Sequence, residues 1–300
     1  MAHSVLTATH PLQFEANTSQ CRLSVVILAM NEERNLPDCL ESVRKLNCQI
    51  FVVDSGSQDR TVEIAREFGA EIRYHPFDNY SLQRNWAIAN VPFDTPWLLQ
   101  LDADERLTPE LVNEINALLI QPEITPDGFL LRKRTIFMGR WIRHGGHYPS
   151  YHLRLFRAGR GRCEDRLYDQ HFIVDGSTEC LHNDYLDIVA SGLSSWSGRH
   201  IRWATMEARE MAVTEQKSGQ VEPAFNGNPI QRKRWWRNSY GRWPLFARAF
   251  FYWFYRFFLR FGFLDGKEGL IFHFLQGFWF RFLVDAMLCE SDSNKVNSPK

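Results

Sequence analysis

Two carboxylates that follow an apolar run are the residues best suited to do chemistry. The run begins at Trp97 and ends in Asp102, Ala103, Asp104 and Glu105. A short apolar run with polar ends is typical of a buried strand, so both aspartates lie where that strand leaves its sheet. Residues two apart in an extended chain point the same way, so Asp102 and Asp104 can face one cation while Ala103 turns away. Oxygen ligands of this kind suit Mg²⁺ or Mn²⁺.

An Asp-x-Asp triplet standing alone is also typical of a loop that caps a helix, so the elements around it decide the interpretation. Apolar and β-branched runs predict strands at residues 23–28, 49–53, 71–74 and 97–101. Helical spacing of apolar residues predicts helices at residues 36–46, 61–68, 81–89 and 108–119. Strands separated by single helices favour an α/β fold with a mostly parallel sheet and helices on both faces. In such a sheet, the polar residues that end the strands lie on one rim, where ligands bind.

Polar side chains also follow the first two predicted strands. Asn31 and Glu32 come after the first strand and Asp54 after the second, so we expect them to meet Asp102 and Asp104 in one crevice. Amide and carboxylate groups can bind a base and ribose hydroxyls, and a divalent ion can bridge a diphosphate. The sequence has no glycine-rich phosphate loop, so a metal must do most of the phosphate neutralisation. The turn after Asp54 is, by itself, also typical of an ordinary turn with a helix cap.

Four motifs, taken in order, resemble those of inverting glycosyltransferase family 2. They are Val25–Glu33, Val52–Thr61, Gln83-Arg84-Asn85 and Leu101–Glu105. The resemblance extends over residues 22–290 and is greatest to the lipopolysaccharide core β-1,4-glucosyltransferase group. It implies the Rossmann-like GT-A fold, a UDP-hexose donor, and Mn²⁺ or Mg²⁺ as cofactor.

The same resemblance implies a role for each rim residue. Asp54 is expected to contact the uracil, and Asn31 and Glu32 the base and ribose. The other expected contacts to the nucleotide sugar are Arg84, Asn85, Asp102 and Ala103. The expected metal ligands are Asp104 and Asp102.

A second acidic motif, at Arg162–Leu167, resembles the Glu-Asp motif of the family. Inverting transfer needs a carboxylate that takes the proton of the acceptor hydroxyl. The oxygen of that hydroxyl attacks the anomeric carbon from the face opposite the leaving UDP. By the resemblance this base is Asp165, with Glu164 as the alternative. A Glu-Asp pair beside two arginines is also typical of a surface ion-pair cluster.

A glycine-hinged loop at residues 137–148 is rich in aromatic and cationic side chains. Such side chains can hold a sugar face and phosphate groups, so the loop predicts an acceptor site. The candidate acceptor contacts are Trp141, His144, His147 and Tyr151. Each histidine is also compatible with a structural or merely polar role.

The region from Arg232 to Gly262 has eight Lys or Arg, no Asp or Glu, and fourteen aromatic residues. No uncharged run beyond residue 199 reaches the ~18 residues that cross a bilayer, so we do not expect a transmembrane helix. Arginine among aromatic residues instead predicts a helix pair in the interface of an anionic membrane. The candidate membrane contacts are Trp235, Trp236, Arg248, Phe251, Trp253 and Arg256. The alternatives are an aromatic helix packed on the catalytic domain and an RNA-binding arm, which the continuous aromatic run disfavours.

Charge, cysteines and composition set the remaining expectations. The 35 basic and 35 acidic residues cancel, which argues against a nucleic-acid partner. The six cysteines have no metal-ligand spacing and residues 1–20 have no targeting pattern, so a reduced cytosolic setting is expected. The predicted divisions are a flexible tail at 1–21, a catalytic domain at 22–199, a helix and linker at 200–231, an aromatic and basic helical region at 232–290, and a flexible tail at 291–300.

Together these predictions describe a metal-dependent, inverting enzyme, peripheral on the inner face of the cytoplasmic membrane. It would move a hexose, by the resemblance glucose, from a UDP-sugar to a lipid-linked saccharide such as lipopolysaccharide core. A polyprenyl phosphate or protein acceptor, or a non-catalytic sugar-nucleotide-binding membrane scaffold, are the alternatives. A phosphatase is disfavoured because Glu105 stands where such enzymes need Thr or Val. A sugar nucleotidylyltransferase is disfavoured because no Gly-rich loop follows the first strand.

Overall fold

The computed structural model describes residues 21–189, 192–212 and 219–296. Residues 1–20 of the predicted N-terminal tail and residues 297–300 of the predicted C-terminal tail lie outside the described residues. In the described part, the strands are β1 (Leu23–Ala29), β2 (Cys48–Asp54), β3 (Glu71–Tyr74), β4 (Trp97–Asp102), β5 (Glu105–Leu107), β6 (Gly128–Phe137), β7 (Arg140–Trp141), β8 (Ser150–Arg157), β9 (Gly161–Cys163), β10 (Phe172–Val174) and β11 (Thr178–Val189). The α-helices are α1 (Leu36–Val43), α2 (Thr61–Glu67), α3 (Tyr80–Ala89), α4 (Pro109–Leu119), α5 (Leu193–Ala212), α6 (Pro229–Gly241), α7 (Ala247–Phe254), α8 (Gly266–Phe272) and α9 (Phe280–Val296).

The main sheet has the strand order β3-β2-β1-β4-β8-β6-β11-β5, and β7 pairs with β6. Strands β3, β2, β1 and β4 are parallel, as the alternation of strands and helices predicts. Strand β8 lies antiparallel between β4 and β6, β11 is parallel to β6, and β5 is antiparallel to β11. The α/β prediction is confirmed, but the sheet is parallel only in its first half. In the second half, the connection from β6 to β8, all of whose residues are described, contains no helix and returns the chain antiparallel to β6.

The central strands end at one rim because their registers are nearly flush. Ala29 of β1 pairs with Asp54 of β2, and Leu28 of β1 pairs with Asp102 of β4. These strands are buried on both faces, which is why the sequence shows continuous apolar runs rather than alternation. Helices α1, α2 and α4 pack on one face, and α3 packs on the other through Ala87.

The C-terminal helices are part of the folded unit rather than a separate appendage. Helix α5 starts at Leu193, so the predicted domain boundary at residue 199 falls inside it. It packs on α9 through Ala204, Ala208, Phe280 and Val284. Helix α9 continues to Val296, so the predicted flexible tail does not begin at residue 291.

A π-helical turn at Tyr255–Leu259 extends α7, and a second one at His273–Trp279 joins α8 to α9. A 3₁₀ turn at Gly262–Asp265 lies between the first π-helical turn and α8. Among the described residues, one helical stretch, Gly262–Ser291, is long and apolar enough to cross a membrane. This stretch includes charged residues such as Lys267 and Arg281, whereas the expectation from the sequence concerned uncharged runs only. Core helices of soluble proteins pass the same test of length and composition.

Candidate functional site

The loops after β1 and β2 are tied together at the rim. Asn31 has a left-handed φ of 56°, a conformation that asparagine tolerates better than most residues. Its backbone N–H donates to Ser57 Oγ (2.9 Å), and its Oδ1 accepts from the N–H of Gln58 (2.8 Å). The side chain of Asn31 therefore lies at the rim, as predicted, and also fixes the loop that follows β2.

Asp54 ends β2 and is 5% exposed. Its Oδ2 accepts from the N–H groups of Gly56 (2.9 Å) and Ser57 (3.0 Å), and its Oδ1 accepts from the Ser57 hydroxyl. This is the ordinary turn that the sequence left open, so the carboxylate shapes the rim whatever else it binds. A cleft of about 430 Å³, lined in part by Asp54, Arg66 and Tyr74, opens beside it and gives room for a planar ring.

Glu32 lies next to the same rim. Its N–H donates to Thr61 Oγ1 (2.8 Å), and its carboxylate accepts from Asn35 Nδ2 (2.7 Å). Burial raises the pKa of Glu32 despite the bond from Asn35, and the negative charge of Asp102 raises it further. The electrostatic contact with Asp102 means that the loop after β1 and the end of β4 share one acidic environment.

Two guanidinium groups hold Asp102. Arg84 of α3 and Arg154 of β8 each place Nη2 3.2 Å from Asp102 Oδ2. Arg154 is buried and also pairs with buried Glu105. Burial alone would raise the pKa of Asp102, but the two cations outweigh it and lower the pKa to about 2. Asp102 is therefore a carboxylate at neutral pH, and Arg84 contacts the rim through it.

Asp104 follows at the turn between β4 and β5, where its carbonyl accepts from the N–H of Ile188 (3.0 Å). Burial raises its pKa well above the usual range, and the charges of Asp187 and Asp102 raise it further. A divalent cation relieves this crowding of negative charge, so the residues fit a cation. Among the described residues, no three His, Cys, Asp or Glu side chains form a complete metal site. Phosphate or water oxygens would have to supply the remaining ligands.

The residues that complete this rim from the second, mixed half of the sheet were not identified from the sequence. Lys133 of β6 pairs with Asp187 of β11 (2.8 Å), and Asp187 lies opposite Glu105 in the register of β11 and β5. The guanidinium of Arg154 lies 5.7 Å from the centre of the Tyr185 ring. The two partners of the Lys133–Asp187 pair are 54 residues apart, so only the strand register brings them together.

The structure corrects two of the predicted donor contacts. The Ala103 side chain is 3% exposed and lies in the hydrophobic core, at the turn between β4 and β5. Asn85 donates from Nδ2 to the carbonyl of Cys163 (2.9 Å) and accepts at Oδ1 from the Cys163 N–H (2.8 Å). Both polar groups of Asn85 therefore hold β9, which gives this residue a structural role.

The two candidate bases differ sharply in their surroundings. Glu164 is fully buried, and its carboxylate accepts from the N–H groups of His171 (2.9 Å) and Val221 (3.0 Å) and from Arg234 (2.5 Å). Burial alone would raise the pKa of Glu164, but the bond from His171 and the charge of Arg234 lower it. A buried, fully bonded carboxylate cannot reach an acceptor, so Glu164 is structural. Asp165 is exposed on the same loop.

Of the four acceptor candidates, Trp141 has the most suitable setting. Its ring lies under the guanidinium groups of Arg134 (4.6 Å) and Arg143 (5.3 Å), and Arg143 is exposed. This forms an aromatic and cationic surface of the kind that holds sugar phosphates. Tyr151 instead packs against a hydrophobic cluster around Leu153, so its ring is mainly structural.

The two histidines of the loop are tied to the protein itself. His144 Nδ1 lies 2.7 Å from Asp265 Oδ1, and the His144 N–H donates to Asp265 Oδ2 (2.9 Å). His147 Nε2 bonds to Thr135 Oγ1 (2.8 Å), and burial lowers its pKa well below the usual range. These contacts correct the prediction of acceptor binding, because they anchor the loop to β6 and to the C-terminal helices.

Two of the predicted membrane residues are not at the surface. Arg248 is 2% exposed, donates from Nε to Asp285 Oδ1 (2.8 Å) and pairs with the same carboxylate through Nη2. Arg256 is 5% exposed and donates from Nε to the carbonyl of Gly145 (2.9 Å). The prediction that these arginines face lipid is wrong, because both are buried and each bonds to an acceptor from a distant part of the chain.

The predicted aromatic residues divide in the same way. Trp236 and Phe251 are 60% and 53% exposed, whereas Trp235 and Trp253 are half-buried. Further exposed aromatic rings lie in and beyond α7: Phe250, Phe254, Tyr255, Phe258, Phe261 and Phe263. We call this set, with Phe251, the aromatic surface.

An acidic rim lies at the carboxyl ends of parallel strands and is flanked by a second acidic loop, an arrangement suited to a cation and an anionic ligand. The mannosyltransferase PcManGT from Pyrobaculum calidifontis, solved with GDP-Man and Mn²⁺, has the same fold. The TM-score is 0.50 at 15% identity, and the alignment covers 98% of this chain and 90% of that one. The predicted GT-A fold is thereby confirmed.

Residues 24–171 match the model for Glycosyl transferase family 2. This segment carries the four predicted motifs, so the predicted resemblance to that family is confirmed over just under half of the chain. A TPR repeat-containing protein of Synechococcus elongatus is 40% identical over 165 residues, which are 54% of this chain and 38% of that protein. The lipopolysaccharide core biosynthesis glycosyltransferase LpsC of Rhizobium meliloti is 34% identical over 146 residues, 47% of this chain and 52% of that protein. The chain thus spans about half or less of these two relatives.

Proposed function

We propose that this protein is an inverting, metal-dependent hexosyltransferase that moves glucose from UDP-glucose to a lipid-linked saccharide such as lipopolysaccharide core. The observation that carries the proposal is the convergence of Asp54, Asp102 and Asp104 on one rim of a chain that matches the family 2 model. The Rhizobium relative, a lipopolysaccharide core biosynthesis glycosyltransferase, supports the class of acceptor. We place the reaction on the cytoplasmic side of the membrane, because sugar nucleotides such as the proposed donor are found in the cytoplasm.

The donor is bound along the rim. Asp54 accepts a hydrogen bond from the uracil, while Asn31 and Glu32 contact the base and ribose. Asp104 and Asp102 hold the cofactor, and Mn²⁺ is the first candidate because the mannosyltransferase of like fold was solved with it. A bound divalent cation supplies charge neutralisation for the diphosphate as UDP leaves.

Asp165 is the base of the transfer step. Its carboxylate removes the proton of the acceptor hydroxyl while that oxygen forms a bond to the anomeric carbon. The bond from that carbon to the diphosphate oxygen breaks on the opposite face, so the configuration inverts. A positioned base of this kind contributes about 10²–10⁴ in rate. Trp141 and the arginines over its ring provide the surface for the acceptor.

The test is UDP release from a panel of UDP-hexoses, with and without a purified lipid-linked core saccharide. We expect acceptor-dependent release with UDP-glucose, and its loss in Asp165→Asn with UDP affinity unchanged by calorimetry. Asp175→Asn is the matched control, because Asp175 is an exposed partner of Arg162 away from the rim. Release that needs a polyprenyl phosphate or a protein instead would overturn the proposed acceptor. UDP binding without any turnover would identify a scaffold.

We also propose that the aromatic surface docks on the inner leaflet of an anionic membrane, with exposed Arg260 and Lys267 beside it. Each buried aromatic ring contributes about 1.5–3 kcal/mol, and each cation near anionic lipid about 1 kcal/mol. The double variant Phe251→Ser/Phe258→Ser should therefore lose flotation with anionic vesicles, whereas Ile120→Ser, an exposed apolar residue on the catalytic domain, should keep it. Equal flotation of both variants would refute this docking surface.

A further inference from the structure

The loop that carries Asp165 is held mainly by helices outside the sheet. It runs from Glu164 to His171, between β9 and β10. On the sheet side, Asn85 of α3 fixes the backbone of Cys163, and the Ser81 hydroxyl donates to the carbonyl of Glu164 (2.8 Å). These bonds fix where the loop begins. They leave its middle and far end to be fixed by other elements.

Helix α6 supplies the cations that hold the rest of the loop. Lys233 places Nζ 3.3 Å from Asp169 Oδ1, and Arg237 pairs with Asp169 Oδ2. Arg234 pairs with Glu164 and also donates to the carbonyl of Asp169 (3.4 Å). Positions 233, 234 and 237 lie on neighbouring faces of one helix, so a single rigid element binds the loop at both Glu164 and Asp169.

Helix α6 is itself well anchored. It begins with a capping box, in which Asn228 accepts from the N–H of Gln231 (3.0 Å) and Gln231 bonds back to the Asn228 N–H (2.9 Å). Arg237 also donates to Glu207 of α5 (2.7 Å), and Glu207 in turn pairs with Arg281 of α9 (2.7 Å). The loop is therefore connected through Arg237 to the helical core formed by α5 and α9.

Asp169 is the loop residue that contacts the α6 cations and has an unusual backbone conformation. It has a left-handed φ of 54°, a conformation that aspartate adopts more readily than most residues do. Its side chain is 22% exposed and meets two cations. The α6 cations therefore fix the side chain of the residue at which the loop backbone turns.

We propose that Asp169, Lys233 and Arg237 are positioning residues for glycosyl transfer, which hold the loop so that Asp165 reaches the acceptor hydroxyl. The proposal rests on the proposed function, because it takes Asp165 as the base. It makes α6 part of the catalytic machinery, whereas composition alone would assign residues 232–290 to membrane binding. None of the three side chains is expected to touch the donor.

The test is Asp169→Asn, which removes the charge but suits the left-handed backbone. Asp175→Asn is the control, since it loses an exposed ion pair through the same chemical change. UDP-binding sites are counted by calorimetry, and acceptor-dependent turnover is expressed per site. We expect turnover per site to fall by roughly 10²-fold, as an error of about 1 Å in placement does, with the affinity for UDP unchanged.

A merely structural role gives a different result, because destabilisation lowers the number of UDP-binding sites but not the turnover of each. Unchanged turnover per site in Asp169→Asn, or a parallel loss of UDP affinity, would overturn the proposal. If Asp169→Asn does not fold, Lys233→Met decides, because this side chain is 47% exposed and its loss leaves the core intact. Lack of transfer by the wild type with every acceptor would instead refute the proposed function itself.

Discussion

Replacing Arg154 by methionine removes the cation on which two rim carboxylates depend. Arg154 and Glu105 have side chains only 7% and 4% exposed, and Asp102 lies 3.2 Å from the same guanidinium. At this distance and an effective dielectric constant of about 20, one charge pair interacts by about 5 kcal/mol. Leaving a buried partner without its counter-charge costs about 3–5 kcal/mol of unfolding free energy. We therefore expect Arg154→Met to lower Tm by about 5–8 °C.

The pH dependence of this loss has a definite sign. Burial already raises the pKa of Glu105 to about 7, although Arg154 opposes the rise. Without Arg154 the folded protein holds a proton on Glu105 that the unfolded chain releases above about pH 4.5. Stability must then fall as pH rises from about 5 to 8. The variant should thus differ from the wild type less at pH 5 than at pH 8.

Thermal unfolding across this pH range, followed by circular dichroism, measures both effects. Arg157→Met is the matched control on the same strand, because the Arg157–Asp127 pair is 34% and 21% exposed and contributes about 1 kcal/mol or less. The double variant Arg154→Met/Glu105→Gln should recover part of the loss, since it removes both charges of the pair. Equal losses in Arg154→Met and Arg157→Met, at all pH values, would refute the reasoning.

Two further predictions concern acid stability and the β9 anchor. Burial lowers the pKa of His200 to about 4, so the unfolded state binds more protons between about pH 6.5 and 4, and acidification should cost up to about 3 kcal/mol of unfolding free energy. His200→Phe should therefore resist acid unfolding, whereas the control His182→Gln, at a 92%-exposed side chain, should not. Equal acid sensitivity of the wild type and His200→Phe would contradict this. Asn85→Ala removes two hydrogen bonds to Cys163 and should lower acceptor-dependent turnover with UDP affinity unchanged by calorimetry. A large loss of UDP affinity would restore Asn85 as a donor contact.

The first half of the fold could be predicted from sequence because its signals are local. Strands β1, β2 and β4 are continuous apolar runs, and each is followed at once by the polar residues of the rim. The position of Asp102 beside Leu28 follows from parallel pairing of such strands. The order of the motifs made Asp165 a candidate base. No local pattern distinguished this exposed carboxylate from its buried neighbour Glu164.

The remaining site residues depend on contacts between distant segments. Arg154 reaches the rim only because β8 lies antiparallel between β4 and β6, which no run of residues indicates. Arg248 and Arg256 were predicted to be surface cations from the composition of their region. Their acceptors, Asp285 and the carbonyl of Gly145, are 37 and 111 residues away in the chain, so burial of both arginines is a consequence of tertiary packing.

The central claim is that the acidic rim binds one divalent ion together with the diphosphate of a UDP-sugar. Titration calorimetry of UDP, with and without Mn²⁺, tests it on the wild type, on Asp104→Asn and on the exposed control Asp38→Asn. We predict that Mn²⁺ raises UDP affinity by at least about tenfold in the wild type and the control, a gain of about 1.4 kcal/mol. This gain should disappear in Asp104→Asn. An equal effect of Mn²⁺ in all three proteins would contradict the claim.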